Sequence, residues 1–202
     1  VDSPAVHQSM EKSRVGVTLA YVGNFGRGHV WGLMVRVVES LASKVPVLIL
    51  AVGIPAGVEG DFLELSELEN VTVEIRPRLP FEEVVTVLQQ EQVDYGCVAM
   101  RSELQGCLSP SKFASYLEAQ VPVLYIGPEG TNTCKICADF DGGVWLPESP
   151  DELQFETAIS MIASKEFHQK AQSGVLRAQK YFRSFNGESL AQAMTASLDR
   201  SM

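Results

Sequence analysis

Short apolar runs alternate along this chain with longer segments that are apolar on one side only. The runs are rich in β-branched residues and apolar on both faces, which is typical of strands covered by helices on both sides. They occupy residues 15–23, 45–53, 71–76, 94–100, 121–127 and 142–147. Between them, residues 29–44, 81–90 and 112–120 carry apolar positions at helical spacing. The pattern predicts an α/β fold with a doubly wound, mainly parallel, six-stranded Rossmann-like sheet.

After the last of these runs the pattern is helical to the end of the chain. Ser149 suits the N-cap of a helix, and Pro150 suits its first position. Glu152, three residues after Ser149, can complete a capping box. A second helix is predicted at about 166–185, and a final one from 187 or 188 to about 200. No linker rich in Pro, Gly or Ser divides residues 15–200. We therefore predict a flexible N-terminal segment at 1–14 and one Rossmann-like domain with a helical C-terminal tail at 15–202.

The composition of the chain indicates which binding partners and which cellular compartment to expect. With 202 residues the chain can hold one ordinary domain, and its net charge of -9 argues against nucleic acid and anionic membranes. The longest nearly uncharged apolar run, at 45–58, is broken by two prolines, so no membrane span is expected. The first residues lack the apolar region of a secretory signal, and the 4 cysteines suit a reducing compartment. A cytoplasmic protein is the expectation.

A glycine-rich turn, G-N-F-G-R-G-H at residues 23–29, follows the first predicted strand and opens a helix. Its glycines allow close approach of a ligand, and the helix start offers free N–H groups to a phosphate. The spacing matches neither the dinucleotide fingerprint nor the P-loop, and the second strand ends at 50–53 without an acidic residue, so NAD is not expected. A plain tight turn is the alternative. His29 either bonds a phosphate or sugar hydroxyl or is an ordinary first-turn residue.

Five of the 16 basic residues follow predicted strands or open the next helix, and so gather at one rim of an acidic protein. They are Arg27, Arg76, Arg78, Arg101 and Lys112. Such cations repel each other unless an anion neutralises them, which favours a diphosphate ligand. The alternative is a solvated rim whose cations pair with Glu74, Glu82 or Glu103.

The segment 101–127 contains a second helix start that suits a phosphate. Ser109 or Ser111 can cap it, and Pro110 stiffens its entrance. Lys112 stands in the first turn, where a cation opposes the helix dipole unless an anion is bound. This local conflict marks a candidate anion site.

Four segments together resemble a known family: Y-V-G-N-F-G-R-G-H at 21–29, R-S-E-L-Q-G-C-L-S-P-S-K-F at 101–113, A-Q-V-P-V-L-Y-I-G-P-E-G at 119–130 and L-P-E-S-P-D-E-L at 146–153. Their order and placement resemble the C-terminal, nucleotide-sugar-binding lobe of GT-B fold glycosyltransferases of the glycosyl transferases group 1 type, close to those that build exopolysaccharides. The resemblance covers about 15–200, nearly the whole chain.

The resemblance implies roles for individual residues. Arg27 and Lys112 are the implied catalytic cations, which neutralise the departing nucleoside diphosphate without a metal or other cofactor. Gly26 and Gly28 would lie against the phosphates, and the chain at 76–79 would border the base. The full set of expected donor-binding residues is Asn24, Gly26, Gly28, His29, Arg76, Arg78, Arg101, Ser111, Ser115, Glu118, Gly130 and Thr131.

In one respect the sequence departs from this family. Many members carry two glutamates eight residues apart, and these positions fall on Cys107 and Ser115 here. Glu118 lies one turn beyond Ser115 on nearly the same helix face and can substitute for the second glutamate, which holds the ribose.

The implied function is transfer of a hexose from a nucleoside-diphosphate sugar to a saccharide or lipid-linked acceptor in polysaccharide biosynthesis. The expected partner is the missing N-terminal acceptor lobe, or a chain that supplies it, without which we expect little activity. The alternative is a non-catalytic module that binds a nucleotide or nucleotide sugar. We interpret Cys134 and Cys137 as ordinary thiols in a helix and Asp139 and Asp141 as a turn rather than a metal site.

Overall fold

The computed structural model describes residues 16–23, 30–105 and 112–184. Its sheet has six strands in the order β3-β2-β1-β4-β5-β6, and every adjacent pair is parallel. The strands are β1 (Val17–Val22), β2 (Val47–Val52), β3 (Val71–Arg76), β4 (Tyr95–Ala99), β5 (Val123–Ile126) and β6 (Gly143–Leu146). All six strands lie within the apolar runs predicted as strands, so the predicted doubly wound Rossmann-like sheet is confirmed. The sheet was predicted to be mainly parallel, and it is wholly parallel.

Helices cover both faces of this sheet. The helices are α1 (Trp31–Ala42), α2 (Glu59–Glu64), α3 (Phe81–Gln90), α4 (Lys112–Glu118), α5 (Asn132–Ala138), α6 (Glu152–Ala163) and α7 (Lys165–Ser184). One core lies between the sheet and α1, α2 and α6, and the other lies between the sheet and α3, α4, α5 and α7. Strand side chains therefore meet apolar partners on both faces, which explains why the strands read as continuous apolar runs.

The start of α6 differs from the predicted one. Asp151, not Ser149, is the cap: its Oδ1 accepts the N–H of Gln154 at 2.7 Å. Gln154 Oε1 accepts the N–H of Asp151 at 3.0 Å and completes the capping box. Glu152 is the first helical residue, one position from the cap, so its side chain cannot take the third position that the box requires.

Between β2 and β3 the structure has a helix that the pattern did not predict. Helix α2 is six residues long and is flanked by two short 3₁₀ turns. Only Phe62 and Leu65 of this region become buried, which is too few positions to show a helical period.

At the chain ends, the predicted helix from 187 or 188 to about 200 and the segment 1–14 lie outside the described residues. Among the helices that the structure describes, none is long and apolar enough to cross a membrane.

Candidate functional site at the carboxyl end of the sheet

The carboxyl ends of the strands lie level with one another and form one edge of the sheet, here called the carboxyl-end edge. The Gly23 N–H donates to the Val52 carbonyl at 2.7 Å, and the Gly53 N–H donates to the Arg76 carbonyl at 2.9 Å. Both glycines have positive φ, 77° and 69°, so the chain turns sharply where each strand ends. Residues that follow β1, β2 and β3 are therefore brought to the same rim.

Strand order reverses between β1 and β4, and these two strands separate towards the carboxyl-end edge. They pair only at Leu19 with Tyr95 and at Ala20 with Gly96, whereas β1 and β2 pair at six positions. In open parallel sheets a ligand binds at such a switch point, where the connections leave in opposite directions. This gap between the unpaired last residues of β1 and β4 is here called the crevice.

The hydroxyl of Tyr116, a buried residue of α4, bridges this crevice. It accepts the N–H of Val22 at 3.1 Å and lies 3.0 Å from the Ala20 carbonyl and 3.3 Å from the Cys97 carbonyl, to one of which it donates. It thus replaces the strand pairing that β1 and β4 no longer make. Sequence reasoning missed this residue.

Gly96 makes room for the Tyr116 ring. A Cβ added at Gly96 would lie 2.2 Å from two atoms of the ring, a distance that no side chain tolerates. A glycine inside an otherwise apolar strand indicates close approach of another group, and this was the available sequence signal for Tyr116.

Lys112 begins α4 one turn before Tyr116, at the mouth of the crevice. Its Nζ lies 3.8 Å from the centre of the Tyr21 ring, which stands on β1. Burial lowers the pKa of the Lys112 ammonium to about 7, and the nearby Cys97 acts in the opposite direction. A cation in this partly desolvated position gains more from an anion than one in open water.

Two further cations stand on loops at the carboxyl-end edge, Arg78 after β3 and Arg101 after β4. Arg78 and Arg101 are exposed, and within the described part of the chain neither forms an ion pair with a carboxylate. Arg78 is close to the end of β2, since a Cβ added at Gly53 would lie 3.2 Å from its Cα.

Arg76, by contrast, has carboxylate partners. Its guanidinium lies 2.6 Å from Glu91 and 3.4 Å from Glu74. The hydrogen bond to Glu91 is the main cause that raises the pKa of Arg76. Pairing with Glu74 was the alternative weighed from the sequence, whereas Glu91 comes from the far end of α3. A donor contact by Arg76 stays a prediction.

Hydrogen bonds tie the loops after β4, β5 and β6 together around Arg101. The Ser102 N–H donates to the Glu148 carboxylate, which follows β6. The Gln105 side-chain amide donates to the Glu129 carbonyl at 2.9 Å, which follows β5. Sequence reasoning did not single out Glu148, although its position directly after a strand was a signal.

Gly130 and Thr131 shape the loop after β5. Gly130 has φ of 82°, and open space surrounds it apart from the Gln105 amide 3.5 Å from an added Cβ. The Thr131 hydroxyl accepts the N–H of Cys134 at 3.0 Å and caps α5. The cap gives Thr131 a structural role, and its approach to a sugar stays a prediction.

Ser115 and Glu118 lie further along α4, away from the crevice mouth. Ser115 is a buried residue in the middle of α4. Glu118 is the last residue of α4, about 9 Å beyond Lys112 along the helix axis. The Glu118 carboxylate lies 2.6 Å from the guanidinium of Arg183 in α7. A ribose contact by Glu118 stays a prediction that requires this ion pair to open.

The remaining predicted residues, which belong to the glycine-rich turn and the α4 cap, lie outside the described residues. They are Asn24, Gly26, Arg27, Gly28, His29 and Ser111.

Cys134 and Cys137 are buried in α5, as interpreted from the sequence. Burial raises the pKa of both thiols, and the Cys137 Sγ lies 3.6 Å from the Val123 carbonyl. Protonated, buried thiols are neither nucleophiles nor ready metal ligands. In the described ranges, no group of three or more His, Cys, Asp or Glu side chains is arranged to hold a metal ion.

No protein-family model matches the chain, and no curated protein matches it by sequence. Solved structures do resemble it. The catalytic domain of cholesterol-alpha-glucosyltransferase from Helicobacter pylori superposes with a TM-score of 0.57 at 14% identity, over 82% of this chain and 99% of that one.

Two longer glycosyltransferases match it as well. WaaG, involved in lipopolysaccharide biosynthesis, has a TM-score of 0.60 at 18% identity over 93% of this chain and 47% of its own. A mutant of S. aureus TarM in complex with fondaparinux, alpha-GlcNAc-glycerol and UDP has a TM-score of 0.61 at 11% identity. The match covers 90% of this chain and 35% of the TarM chain. The chain thus spans about half of WaaG and a third of TarM. These likenesses show that the chain has a Rossmann-like α/β fold that these glycosyltransferases also contain.

Proposed function

We propose that this chain is the donor-binding lobe of a glycosyltransferase and binds a nucleoside-diphosphate sugar at the carboxyl-end edge. One observation carries the proposal: Lys112 stands at the switch point, with Tyr21 of β1 under its ammonium, and Arg78 and Arg101 follow β3 and β4 at the same edge of the sheet. All three stand at the same edge of a chain of net charge -9, where a diphosphate would supply the opposite charge. TarM, whose fold this chain shares, was solved with UDP bound, which supports the proposed ligand class.

The chemistry proposed for this edge is stabilisation of a leaving group. In glycosyl transfer the bond between the sugar anomeric carbon and the diphosphate oxygen breaks, and the electron pair departs with the diphosphate. The acceptor hydroxyl forms the new bond to the anomeric carbon and loses its proton. Lys112 and Arg27 are the proposed cations for the departing charge, and fixed charges in a partly desolvated site do this effectively. The family resemblance favours retention of anomeric configuration.

The acceptor side belongs to another lobe in this proposal. The chain spans about half or less of WaaG and TarM, so the acceptor lobe is expected on a preceding segment or on a partner chain. The proposed acceptor is a saccharide or a lipid-linked saccharide in polysaccharide biosynthesis, and the proposed compartment is the cytoplasm.

A second candidate is a non-catalytic module that binds a nucleotide or nucleotide sugar. The observation that favours it is the ion pair between Glu118 and Arg183, which engages the acid proposed to hold the ribose. Cys107 and Ser115 also stand where many family members have glutamates. A module of this kind binds the nucleotide but supports no transfer when joined to its natural partner segment.

Calorimetry at low salt tests the proposed site. The folded chain is titrated with UDP, GDP and their glucose conjugates, and with uridine and guanosine as controls that lack the diphosphate. We expect at least one diphosphate to bind and both nucleosides to bind much more weakly. The proposal is overturned if circular dichroism shows a folded chain and no diphosphate binds.

A further inference from the structure

The loops that follow the strands divide the carboxyl-end edge into two chemically different halves. On one half, residues 53–58 follow β2 and residues 77–80 follow β3, and all of them except Arg78 are apolar or glycine. The loops on the other half carry carboxylate, amide and hydroxyl groups. They are here called the β4–β6 loops, and the structure describes them at residues 101–105, 127–131 and 147–151. The switch point between β1 and β4 lies between the two halves.

The two halves also differ in charge. Residues 53–58 and 77–80 hold no carboxylate. Within the described residues of the β4–β6 loops, four acids stand against one cation, Arg101. These acids are Glu103, Glu129, Glu148 and Asp151.

Glu148 is the acid that reaches back towards the switch point. It follows β6, yet its Oε1 accepts the N–H of Ser102, which follows β4. The carboxylate therefore lies beside the loop after β4, although its own strand is two places further along the sheet. Its charge also affects Tyr125 on β5: burial raises the pKa of Tyr125 to about 12, and Glu148 adds to that rise.

Hydrogen bonds fix the loop after β5, which lies between the other two. The Trp145 indole N–H donates to the Gly127 carbonyl at 2.9 Å. The Tyr125 hydroxyl donates to the Pro128 carbonyl at 3.1 Å. The surroundings of Glu148 are therefore held in place in the free protein, which lowers the ordering cost of binding a ligand beside it.

A nucleoside-diphosphate sugar has its diphosphate in the middle, so its base and its sugar extend to opposite sides of that group. With the diphosphate at Lys112, one end of the molecule lies over each half of the edge. A base has flat faces that suit apolar contacts and stacking with a guanidinium, such as that of Arg78. A sugar presents hydroxyls that donate to carboxylates and accept from amides. The chemistry of the two halves therefore directs the sugar towards Glu148.

We propose that the donor carries an uncharged sugar and that Glu148 excludes uronic acids from the site. This inference rests on the proposed donor site. A carboxylate has about four acceptor positions, so Glu148 can accept a sugar hydroxyl as well as the Ser102 N–H. A uronate in the same place brings a second carboxylate close to Glu148, and like charges repel strongly where water is partly excluded. In the donor proposal Arg101 serves the diphosphate, so it does not neutralise the sugar.

Calorimetry with matched donor pairs tests this inference. UDP-glucose and UDP-glucuronate differ only at C6, where one has a hydroxymethyl group and the other a carboxylate, and so do UDP-galactose and UDP-galacturonate. If GDP is the nucleotide that binds, the pair is GDP-mannose and GDP-mannuronate. Since the nucleotide is common to a pair, the ratio of the two affinities reports on the sugar. We expect the neutral member of at least one pair to bind about tenfold or more tightly than its uronate.

Glu148→Gln separates the charge of this side chain from its hydrogen bond. Glutamine keeps an oxygen that accepts the Ser102 N–H, but it carries no negative charge. The preference for the neutral sugar should therefore fall to about threefold or less, mainly because the uronate binds more tightly. Glu166→Gln is the matched control, since Glu166 is exposed in the first turn of α7 and its loss changes the net charge equally. This control should keep the full preference.

Equal affinity for both members of every pair, or tighter binding of the uronates, overturns the inference. An unchanged preference in Glu148→Gln also overturns it, and an equal loss in Glu166→Gln assigns the effect to net charge instead. If Glu148→Gln does not fold, the pairs on the unmodified chain decide the outcome. UDP and GDP alone test the donor site. If one of them binds and the pairs do not differ, only the exclusion of uronates fails, and if neither binds, both proposals fail.

Discussion

At the scale of single residues, the ammonium of Lys112 combines two features that rarely occur together on a surface. It is partly buried against the Tyr21 ring, and it stands where strand order reverses. Loss of hydration makes the charge costly in the free protein and increases the benefit of an anionic ligand.

Lys112→Met should weaken UDP binding by about fivefold to 150-fold, the range for a charge-assisted hydrogen bond of ~1 to 3 kcal/mol. Calorimetry measures the change. Lys180→Met is the matched control, since Lys180 is exposed on α7, and it should bind as the unmodified chain does. Equal loss in both variants would assign the effect to net charge rather than to Lys112.

The lowered pKa of Lys112 predicts that UDP binding takes up protons. With a pKa of about 7 in the free chain, Lys112 is charged below pH 7 and increasingly neutral above it. A bound diphosphate raises this pKa, so affinity should be level below the free pKa and fall by up to about tenfold per pH unit above it. The phosphate itself is fully ionised in that range.

Calorimetry in two buffers with different ionisation enthalpies measures this proton uptake at pH 8. The Lys112→Met variant is the control, and it should lose most of the proton uptake. An affinity that stays level from pH 7 to 9 in the unmodified chain contradicts the proposed contact.

At the scale of elements, α4 holds β1 and β4 at the distance that forms the crevice. The Tyr116 hydroxyl bonds backbone groups of both strands, and Gly96 leaves room for its ring. Lys112 lies one turn away on the same helix, so the position of the cation depends on how the Tyr116 ring packs.

Gly96→Ala should therefore lower the free energy of unfolding by about 1 to 3 kcal/mol or more, the range for overpacking a close-packed core. The added Cβ falls 2.2 Å from Tyr116 ring atoms, so the ring and α4 must move, and UDP affinity should fall with stability. Gly60→Ala is the control, because a Cβ there meets nothing within 4 Å. Chemical denaturation and calorimetry compare the two variants, and equal stability would show that α4 shifts without cost.

At the scale of the whole molecule, two edges of one sheet present different chemistry. The carboxyl-end edge carries Arg78, Arg101 and Lys112, while the opposite edge, where the strands begin, has a cavity lined by the ends of α3 and α6, the turn after α4 and the start of α7. Parallel strands produce this difference, because each helix that follows a strand begins near the carboxyl-end edge and ends towards the other edge.

We predict that the chain alone binds UDP but transfers sugar from a labelled UDP-sugar no faster than the uncatalysed background. Joined to the preceding coding segment, or mixed with the partner that supplies the acceptor lobe, it should transfer. The measurement is label incorporation into a saccharide acceptor. Binding without transfer in the joined protein favours the non-catalytic module, and transfer by the chain alone contradicts the need for a second lobe.

The sequence by itself determined the order of strands and helices, and with it the parallel sheet. Strands covered on both faces must be apolar throughout, and helices covered on one face must repeat at their own period, so both can be read from local composition. Placing Lys112 and Arg101 at one edge also required only the order of elements. The short helix α2 was not predictable, because it buries too few residues to show a period.

Tertiary structure alone decided which of these side chains face each other. Glu118 pairs with Arg183 across 65 positions of sequence, and the Tyr116 hydroxyl reaches Ala20 across 96. The cavity at the edge where the strands begin likewise forms from helix ends and a helix start that are distant in the chain. Such contacts depend on the positions and angles at which the helices pack on the sheet, and these cannot be predicted from the periodicity of the sequence.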